Sequence, residues 1–312
     1  MESYIKARPR VSVVIPAFNA AGTIELTIRS ALQQTLKEIE IIVCDDASTD
    51  GTMRILRSIK DTRLVILKNP KNQGPGLTRD RAIEVARGEW IAVLDADDVW
   101  EDKRLESMLN ATNGETDVMI FDDLMICHHS PIGLVPWRRM RGPKAFNGNG
   151  KKSVDLATEL WTGSYQFLIK PLIHTKTIHK SGIRHSTLKF GEDTEFFLRL
   201  IAYGLRLRYI PHAYYWYRIT PNSMSSNTRR SELINHMLES LLPLFELQPN
   251  IQKTIRVRIQ YRKLLQYIKA REFLQVFRIL WLNPRLFAEF THRSIRQTVY
   301  FLHRGLHSGS PR

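Results

Sequence analysis

Trp90-Ile-Ala-Val-Leu-Asp-Ala-Asp-Asp98 joins five apolar residues to three carboxylates without a break. An apolar run of that length reads as a buried strand, so the acids fall at its carboxyl end. The chain before it repeats the arrangement. Val11–Ile15 is a run rich in β-branched residues ended by Pro16, and Gly22-Thr23 opens a segment with Ile24, Ile28, Ala31 and Leu32 at helical spacing. Ile39–Cys44 is a second apolar run, followed by Asp45-Asp46-Ala-Ser-Thr-Asp-Gly51. Thr52–Ile59 is helical, Leu64–Leu67 is a strand and Gly76–Ala86 is again helical. Strands alternating with helices predict an α/β fold with a Rossmann-like, mostly parallel sheet. The apolar runs are largely continuous, not alternating, as expected when helices cover both faces. Ligands of such sheets bind at the carboxyl ends of the strands, where both acidic clusters stand.

Further along, Val118–Phe121 reads as a strand ending at Asp122-Asp123, and Arg141–Lys152 as an exposed loop. After Ser226 the chain turns mostly helical, with breaks at Pro243, Pro249 and Pro284. The organisation expected is a body over residues 9–226 and a helical extension over 227–312. With 312 residues, 43% of them hydrophobic, the chain is long enough for a sizeable core and too apolar for disorder. Cys44 and Cys127 are its only cysteines, which excludes a disulfide framework and suits a reducing compartment. The first ten residues hold no apolar segment of a signal peptide, and no run of about 18 apolar residues suggests a membrane span.

The net charge of +15 is unevenly placed. From Ile251 to Arg312, thirteen Lys and Arg face two Glu, which accounts for eleven of those charges. Apolar residues, among them Ile255, Ile259, Leu264, Phe273, Phe277 and Trp281, recur there at helical spacing. A basic amphipathic helix of this kind suits an anionic membrane surface. Helices packed on the body with a solvated basic face fit nearly as well. Nucleic acid is a distant third, since no nucleic-acid motif accompanies the charge.

Three acids within Asp95–Asp98 repel one another unless a cation or water compensates. Mg²⁺ and Mn²⁺ take oxygen ligands and share one or two carboxylates with substrate phosphates. A solvated turn with a helix cap would use the same residues, but the strand-end position favours metal and diphosphate. Asp46 is assigned to a ligand and Asp50 to capping the helix that follows.

Val13-Val-Ile-Pro-Ala-Phe-Asn19, Val43-Cys-Asp-Asp-Ala-Ser-Thr-Asp-Gly51, Asn72-Gln-Gly-Pro-Gly-Leu-Thr-Arg79, Ala86-Arg-Gly-Glu-Trp90 and Leu94-Asp-Ala-Asp-Asp98 follow the order seen in family 2 glycosyltransferases. The resemblance spans residues 9–226 and is nearest to bacterial enzymes of exopolysaccharide synthesis, the succinoglycan type included. It implies a GT-A fold, an inverting mechanism, Mn²⁺ or Mg²⁺, and a nucleotide-sugar donor, UDP-linked. By position, Pro16, Ala17 and Asn19 resemble the first donor-binding turn. Asp46 is similar to the residue that bonds the uracil ring, with Asp45 beside it, and Arg79 to an Arg of a donor-facing helix. Asp95, Asp97 and Asp98 match the D-x-D region, Asp98 as the leading metal ligand and Asp97 near ribose or metal. Gly191-Glu-Asp-Thr-Glu-Phe-Phe197 resembles the segment supplying the base, which makes Asp193 the base and Glu192 its support.

Tyr217-Arg-Ile-Thr-Pro-Asn-Ser-Met-Ser225 resembles the family's mobile loop, where Arg218 either meets the diphosphate or is a surface residue. Two departures stand out. Asp80 and Ala82 replace a common Asn and Gly, and Thr220 replaces a frequent His, which puts a third protein metal ligand in doubt. Trp161, Tyr165, Trp216 and Tyr217 suit the core better than sugar stacking. The implied acceptor is a saccharide or lipid-linked saccharide, with the protein cytoplasmic and peripheral on the inner membrane face. A nucleotidyltransferase acting on a sugar phosphate, or a non-catalytic sugar-nucleotide-binding protein, would use similar carboxylates.

Overall fold

Every residue of β1 (Val11–Ala17) and β2 (Ile39–Asp45) is buried, as strands covered on both faces must be. The computed structural model describes residues 8–130, 133–141, 169–188, 190–219, 230–246 and 249–282. With β3 (Leu64–Lys68) and β4 (Trp90–Val93), these strands form a parallel block in the order β3-β2-β1-β4. The crossovers are α1 (Ile24–Leu32), α2 (Thr52–Ser58) and α3 (Pro75–Val85). Ile24, Ile28 and Ala31 of α1 and Leu56 of α2 join Val11, Val13, Ile15 and Ile41 in one core.

Register explains why a proline is tolerated inside β1. Pro16 pairs alongside Cys44 of β2, but pairing with β4 ends at Val14 opposite Val93. The Ala17 carbonyl faces β2, where it accepts from Asp46 N at 2.7 Å. By alternation Pro16 faces the β4 side, past the last pair, so its missing N–H costs no ladder bond. The same register sets Asp45 beside Ala17, and the Leu94 N–H bonds the Val14 carbonyl at 3.0 Å. Both acidic clusters therefore leave the sheet at one edge. Gly88 permits the close approach of the next segment, since a Cβ there would lie 2.4 Å from Ser12 N.

The sheet continues with β5 (Val99–Trp100), β6 (Val118–Ser130), β7 (Gly133–Met140), β8 (Leu172–His174) and β9 (Arg206–Ile219). Its order is β4-β8-β6-β9-β5, with β7 on β6. Here β6 and β9 are parallel while the remaining pairs are antiparallel. Among the described residues this half also carries α4 (Arg104–Asn110), α5 (Thr175–Ser181) and α6 (Glu192–Tyr203).

The strand expected to stop at Asp122-Asp123 runs through both acids to Ser130. Cations from elsewhere make this possible. Arg104 meets Asp122 at 2.8 Å with both side chains fully buried, and Arg139 meets Asp123 at 2.7 Å, where the Tyr209 hydroxyl also donates. The Arg104 guanidinium also lies over the Trp100 ring at 4.6 Å and donates to the Lys170 carbonyl at 2.5 Å.

The chain forms two compact units, residues 1–230 and 231–312. The described part of the second is helical, with α7 (Arg230–Leu241), a 3-10 turn (Leu242–Phe245), α8 (Pro249–Lys269) and α9 (Phe273–Leu282). Met237, Leu238, Leu241, Phe245, Ile255, Ile259 and Leu264 are buried apolar residues among those described there. No helix among the described residues is long and apolar enough to cross a membrane. Trp161, Tyr165, Thr220, most of the Arg141–Lys152 stretch and everything after Leu282 lie outside the described residues.

Candidate active site

The turns after β1 and β2 clasp each other. Asn19 N donates to Ser48 Oγ at 2.9 Å, and Asn19 Oδ1 accepts from Thr49 N at 2.9 Å. Asn19 and Ala47 both hold left-handed backbone, at φ 49° and 60°, a conformation that Asn tolerates and that is strained for Ala. Pro16 and Ala17 end β1 directly beneath this clasp, and Phe18 beside them is 50% exposed. Phe18 is an aromatic surface that sequence reading passed over.

Asp45 and Asp46 differ sharply despite adjacency. Asp46 is buried and accepts from Asn69 Nδ2 at 2.7 Å, Gln73 N at 3.0 Å and Gly74 N at 2.9 Å. Its carboxylate thus fixes the turn from which α3 begins. Asp45 accepts from Ser48 N at 3.2 Å through Oδ2, while its buried Oδ1 has no partner among the described residues. Asp50 holds the start of α2 through Thr52 N at 2.9 Å, as its capping assignment expects. Cys44 is a buried core residue whose thiol is pushed up to about 11 by burial.

Arg79 on α3 joins three segments. Nη2 donates to Asp95 Oδ1 at 2.9 Å and Nη1 to Glu192 Oε1 at 2.7 Å. Lys170, just before β8, lies 2.6 Å from Asp95 Oδ2 and 3.0 Å from Asp193 Oδ2. Asp95, Arg79, Glu192, Asp193 and Lys170 therefore form one ion network. Burial opposes ionisation of Asp95 and Asp193, but Lys170 and Arg79 outweigh it and hold both carboxyls below their usual range. Lys170 was not singled out from sequence. Its signal is a lone cation inside the apolar run Phe167-Leu-Ile-Lys-Pro-Leu-Ile173.

Glu192 and Asp193 sit in the first turn of α6, where Gly191 adopts φ 77° and Asp193 Oδ1 accepts from Thr194 N at 2.7 Å. The helix dipole favours carboxylates here. The N-cap itself is Gly191, and the two carboxylates occupy the first turn behind it. Gly76 on α3 lets this start approach: a Cβ there would stand 3.0 Å from His185 Cβ and 3.1 Å from Glu192 Cγ. His185 Nδ1 meets Asp80 Oδ1 at 2.7 Å, and its ring stacks on Phe196.

The D-x-D-D segment is pinned to α1, since Thr27 Oγ1 donates to the Ala96 and Asp98 carbonyls at 3.0 and 2.7 Å. Asp98, expected as the leading metal ligand, is fully buried and faces inward. Oδ2 accepts from the Tyr215 hydroxyl at 2.7 Å and Oδ1 from Arg218 N at 2.8 Å. Asp97 is only partly buried. Burial and the charge of Asp95 push its carboxyl up to about 6.

Arg218 resolves between its two expected settings: it is 3% exposed, so it is no surface residue. Its Nε and Nη2 are buried without a partner among the described residues. Trp216 is half-buried and donates to Glu101 Oε1 at 3.1 Å, a structural role.

Five carboxylates (Asp95, Asp97, Asp98, Glu192 and Asp193) thus share one region with three cations (Arg79, Lys170 and Arg218). Among the described residues no group of three or more His, Cys, Asp or Glu is arranged to hold a metal. One uncompensated carboxylate beside an unpaired guanidinium fits a divalent ion that completes its shell with diphosphate oxygens.

Residues 12–189 match the model of glycosyl transferase family 2. The chain is 30% identical over 279 residues to succinoglycan biosynthesis protein ExoO of Rhizobium meliloti, covering 85% of this chain and 76% of that protein. It is 29% identical over 255 residues to the UDP-Glc:alpha-D-GlcNAc-diphosphoundecaprenol beta-1,3-glucosyltransferase WfaP of Escherichia coli, covering 81% and 89%. Its fold matches S. aureus TarS 1-349, solved with UDP-GlcNAc, at TM-score 0.63 and 19% identity over 86% of this chain and 90% of that one. It also matches mannosyltransferase PcManGT of Pyrobaculum calidifontis, solved with GDP-Man and Mn²⁺, at TM-score 0.61 and 16% identity over 96% and 84%. A family match over more than half the chain, on the fold and strand-end acids the sequence anticipates, makes this protein a member of glycosyl transferase family 2.

Proposed function

We propose that this protein transfers a sugar, with inversion, from a UDP-sugar to a saccharide or lipid-linked saccharide acceptor in surface or exopolysaccharide synthesis. One observation carries the reading: a single ion network ties Asp193 at the start of α6 to Asp95 of the D-x-D-D segment through Lys170. The acid that receives a proton and the strand end that holds a diphosphate are thereby set in fixed relation. ExoO and WfaP supply the analogy for the acceptor class. The nucleotidyltransferase and binding-protein alternatives gain nothing from these likenesses.

In this reading the clasp of Asn19 and Ser48, with Pro16, Ala17 and Phe18, holds base and ribose, with Asp45 paired beside Ala17 and its buried Oδ1 unpartnered among the described residues. Asp46 acts by fixing the 72–74 turn against them. Arg218 directs its two unpaired N–H groups at the diphosphate. A divalent ion such as Mn²⁺ or Mg²⁺, when bound, neutralises charge on the departing diphosphate. Asp97 is the residue that would hold it, with Asp98 behind it fixing the segment's geometry.

Asp193 takes the proton of the acceptor hydroxyl while that oxygen bonds the anomeric carbon and the bond from that carbon to the diphosphate breaks. Glu192 holds Arg79, which with Lys170 keeps Asp193 ionised and in place. We assign the protein to the inner membrane face, where a lipid-linked acceptor would be presented.

The test is a donor screen that reads nucleoside diphosphate release with membrane extract as acceptor source. UDP release with one UDP-sugar is expected. Asp193→Ala should keep donor binding and lose transfer, and unchanged transfer would remove Asp193 as the base.

A further inference from the structure

The second unit carries a feature that the transfer reaction does not use. In α9, Phe273, Leu274, Phe277 and Trp281 are 67, 88, 74 and 82% exposed. Residues 273, 277 and 281 are four apart and Leu274 lies beside the first, so all four share one helix face. Val276, Ile279 and Leu280 on the other side are partly buried. The helix thus turns Val276, Ile279 and Leu280 inward and its two Phe, its Trp and Leu274 outward. Large apolar side chains clustered on an exposed face mark a binding surface.

Charge selects the occupant. Residues 249–282 contain eight Lys and Arg against Glu272 alone, and Arg271 and Arg278 flank or interrupt the apolar face. Residues 283–312 continue the pattern with Phe287, Phe290, Tyr300 and Phe301 among five Arg and one Glu. A protein groove or a second copy of this chain would have to absorb a strong positive charge around an apolar centre. An anionic bilayer accepts both, with aromatic and aliphatic side chains at the headgroup boundary and guanidinium groups against the phosphates. A helix of ten residues is too short to span and suited to lie in the interface.

We propose that α9 is an interfacial docking helix that inserts Phe273, Leu274, Phe277 and Trp281 into an anionic lipid surface. This rests on the assignment of the enzyme to the membrane face, and it names the element and the lipid charge that hold it there.

The test uses the full chain and phosphatidylcholine vesicles with or without phosphatidylglycerol. Wild type should sediment with the anionic vesicles and not with phosphatidylcholine alone. Phe277→Ser with Trp281→Ser should lower the bound fraction about tenfold at unchanged charge, with UDP-sugar binding retained as proof of folding. Trp281→Phe should keep most of the binding. Equal binding by the double Ser variant would overturn the insertion, and equal binding to both vesicle types would overturn the anionic preference. A wild-type dimer dissolved by the double substitution, with no vesicle binding, would assign the face to a second copy instead. Failure of wild type to bind any vesicle would end the proposal, while UDP release to a soluble acceptor would still report on the transferase reading.

Discussion

The Lys170 ammonium stands 3.0 Å from the Asp193 carboxylate, inside a site where both side chains are largely withdrawn from water. An ion pair of this kind holds a carboxylate in one position and one protonation state. Lys170→Met should therefore lower UDP release by about a hundredfold or more, because a displaced base costs that much. Loss of the cation also raises the Asp193 pKa, so the acid limb of the pH–rate profile should move to higher pH. A profile that falls in height without moving would mean that Lys170 does not set the Asp193 charge.

Asp97 gives a prediction of opposite sign for stability. Its folded pKa of about 6 lies above the ordinary carboxylate value, so the folded state holds the proton more tightly than the unfolded chain. Stability from this group is present at low pH and is lost as pH rises through about 6. Asp97→Asn should then be more stable than wild type at neutral pH without metal, by roughly 1–3 kcal/mol. It should also lose any rise in Tm that Mn²⁺ gives with UDP. Thermal unfolding across pH, with and without Mn²⁺ and UDP, measures both.

The neighbouring acid should behave differently. Asp98 accepts from Tyr215 and from the Arg218 backbone with no exposure. Tyr215→Phe removes one donor from a buried acceptor and should destabilise by roughly 1–3 kcal/mol. Metal dependence of the remaining activity should be unchanged. A shifted Mn²⁺ requirement with an unaltered Tm would return Asp98 to the role of ligand.

Gly76 offers a steric test of how α6 is placed. An added methyl meets the His185 Cβ, Glu192 Cγ and the Ser186 carbonyl at 3.0–3.2 Å. Gly76→Ala should push the start of α6 outward by a few tenths of an ångström and cost about tenfold in kcat with little change in donor binding. Equal losses in kcat and donor affinity would show that α3 itself, and not α6, had moved.

The parallel half of the fold was legible because its strands are largely apolar runs with turns at their ends. The position of both acidic clusters at one sheet edge followed from that reading. The course of β6 was not legible, because Asp122 and Asp123 look like a turn until Arg104 and Arg139 are brought to them from 18 and 16 residues away. Adjacency in sequence likewise hides how differently two pairs are set. Neighbouring side chains point in different directions from a strand end, so Asp97 is partly exposed while Asp98 bonds Tyr215 out of solvent, and Asp45 keeps an unpartnered buried oxygen while Asp46 is bonded to Asn69. Lys170 was hidden because its meaning depends on Asp95 and Asp193, which stand 75 residues before and 23 after it.

The buried pair of Arg104 and Asp122 should cost about 3–5 kcal/mol when Asp122→Ala removes one partner, measurable by urea unfolding.

Because the same guanidinium bonds the Lys170 carbonyl, the residue that steadies the core also sets the height of the ammonium beneath the proposed base. Under the proposed mechanism, durability and turnover would share one side chain. A variant that relaxes Arg104 would then lose activity by misalignment as well as by weakened folding, far from any substrate.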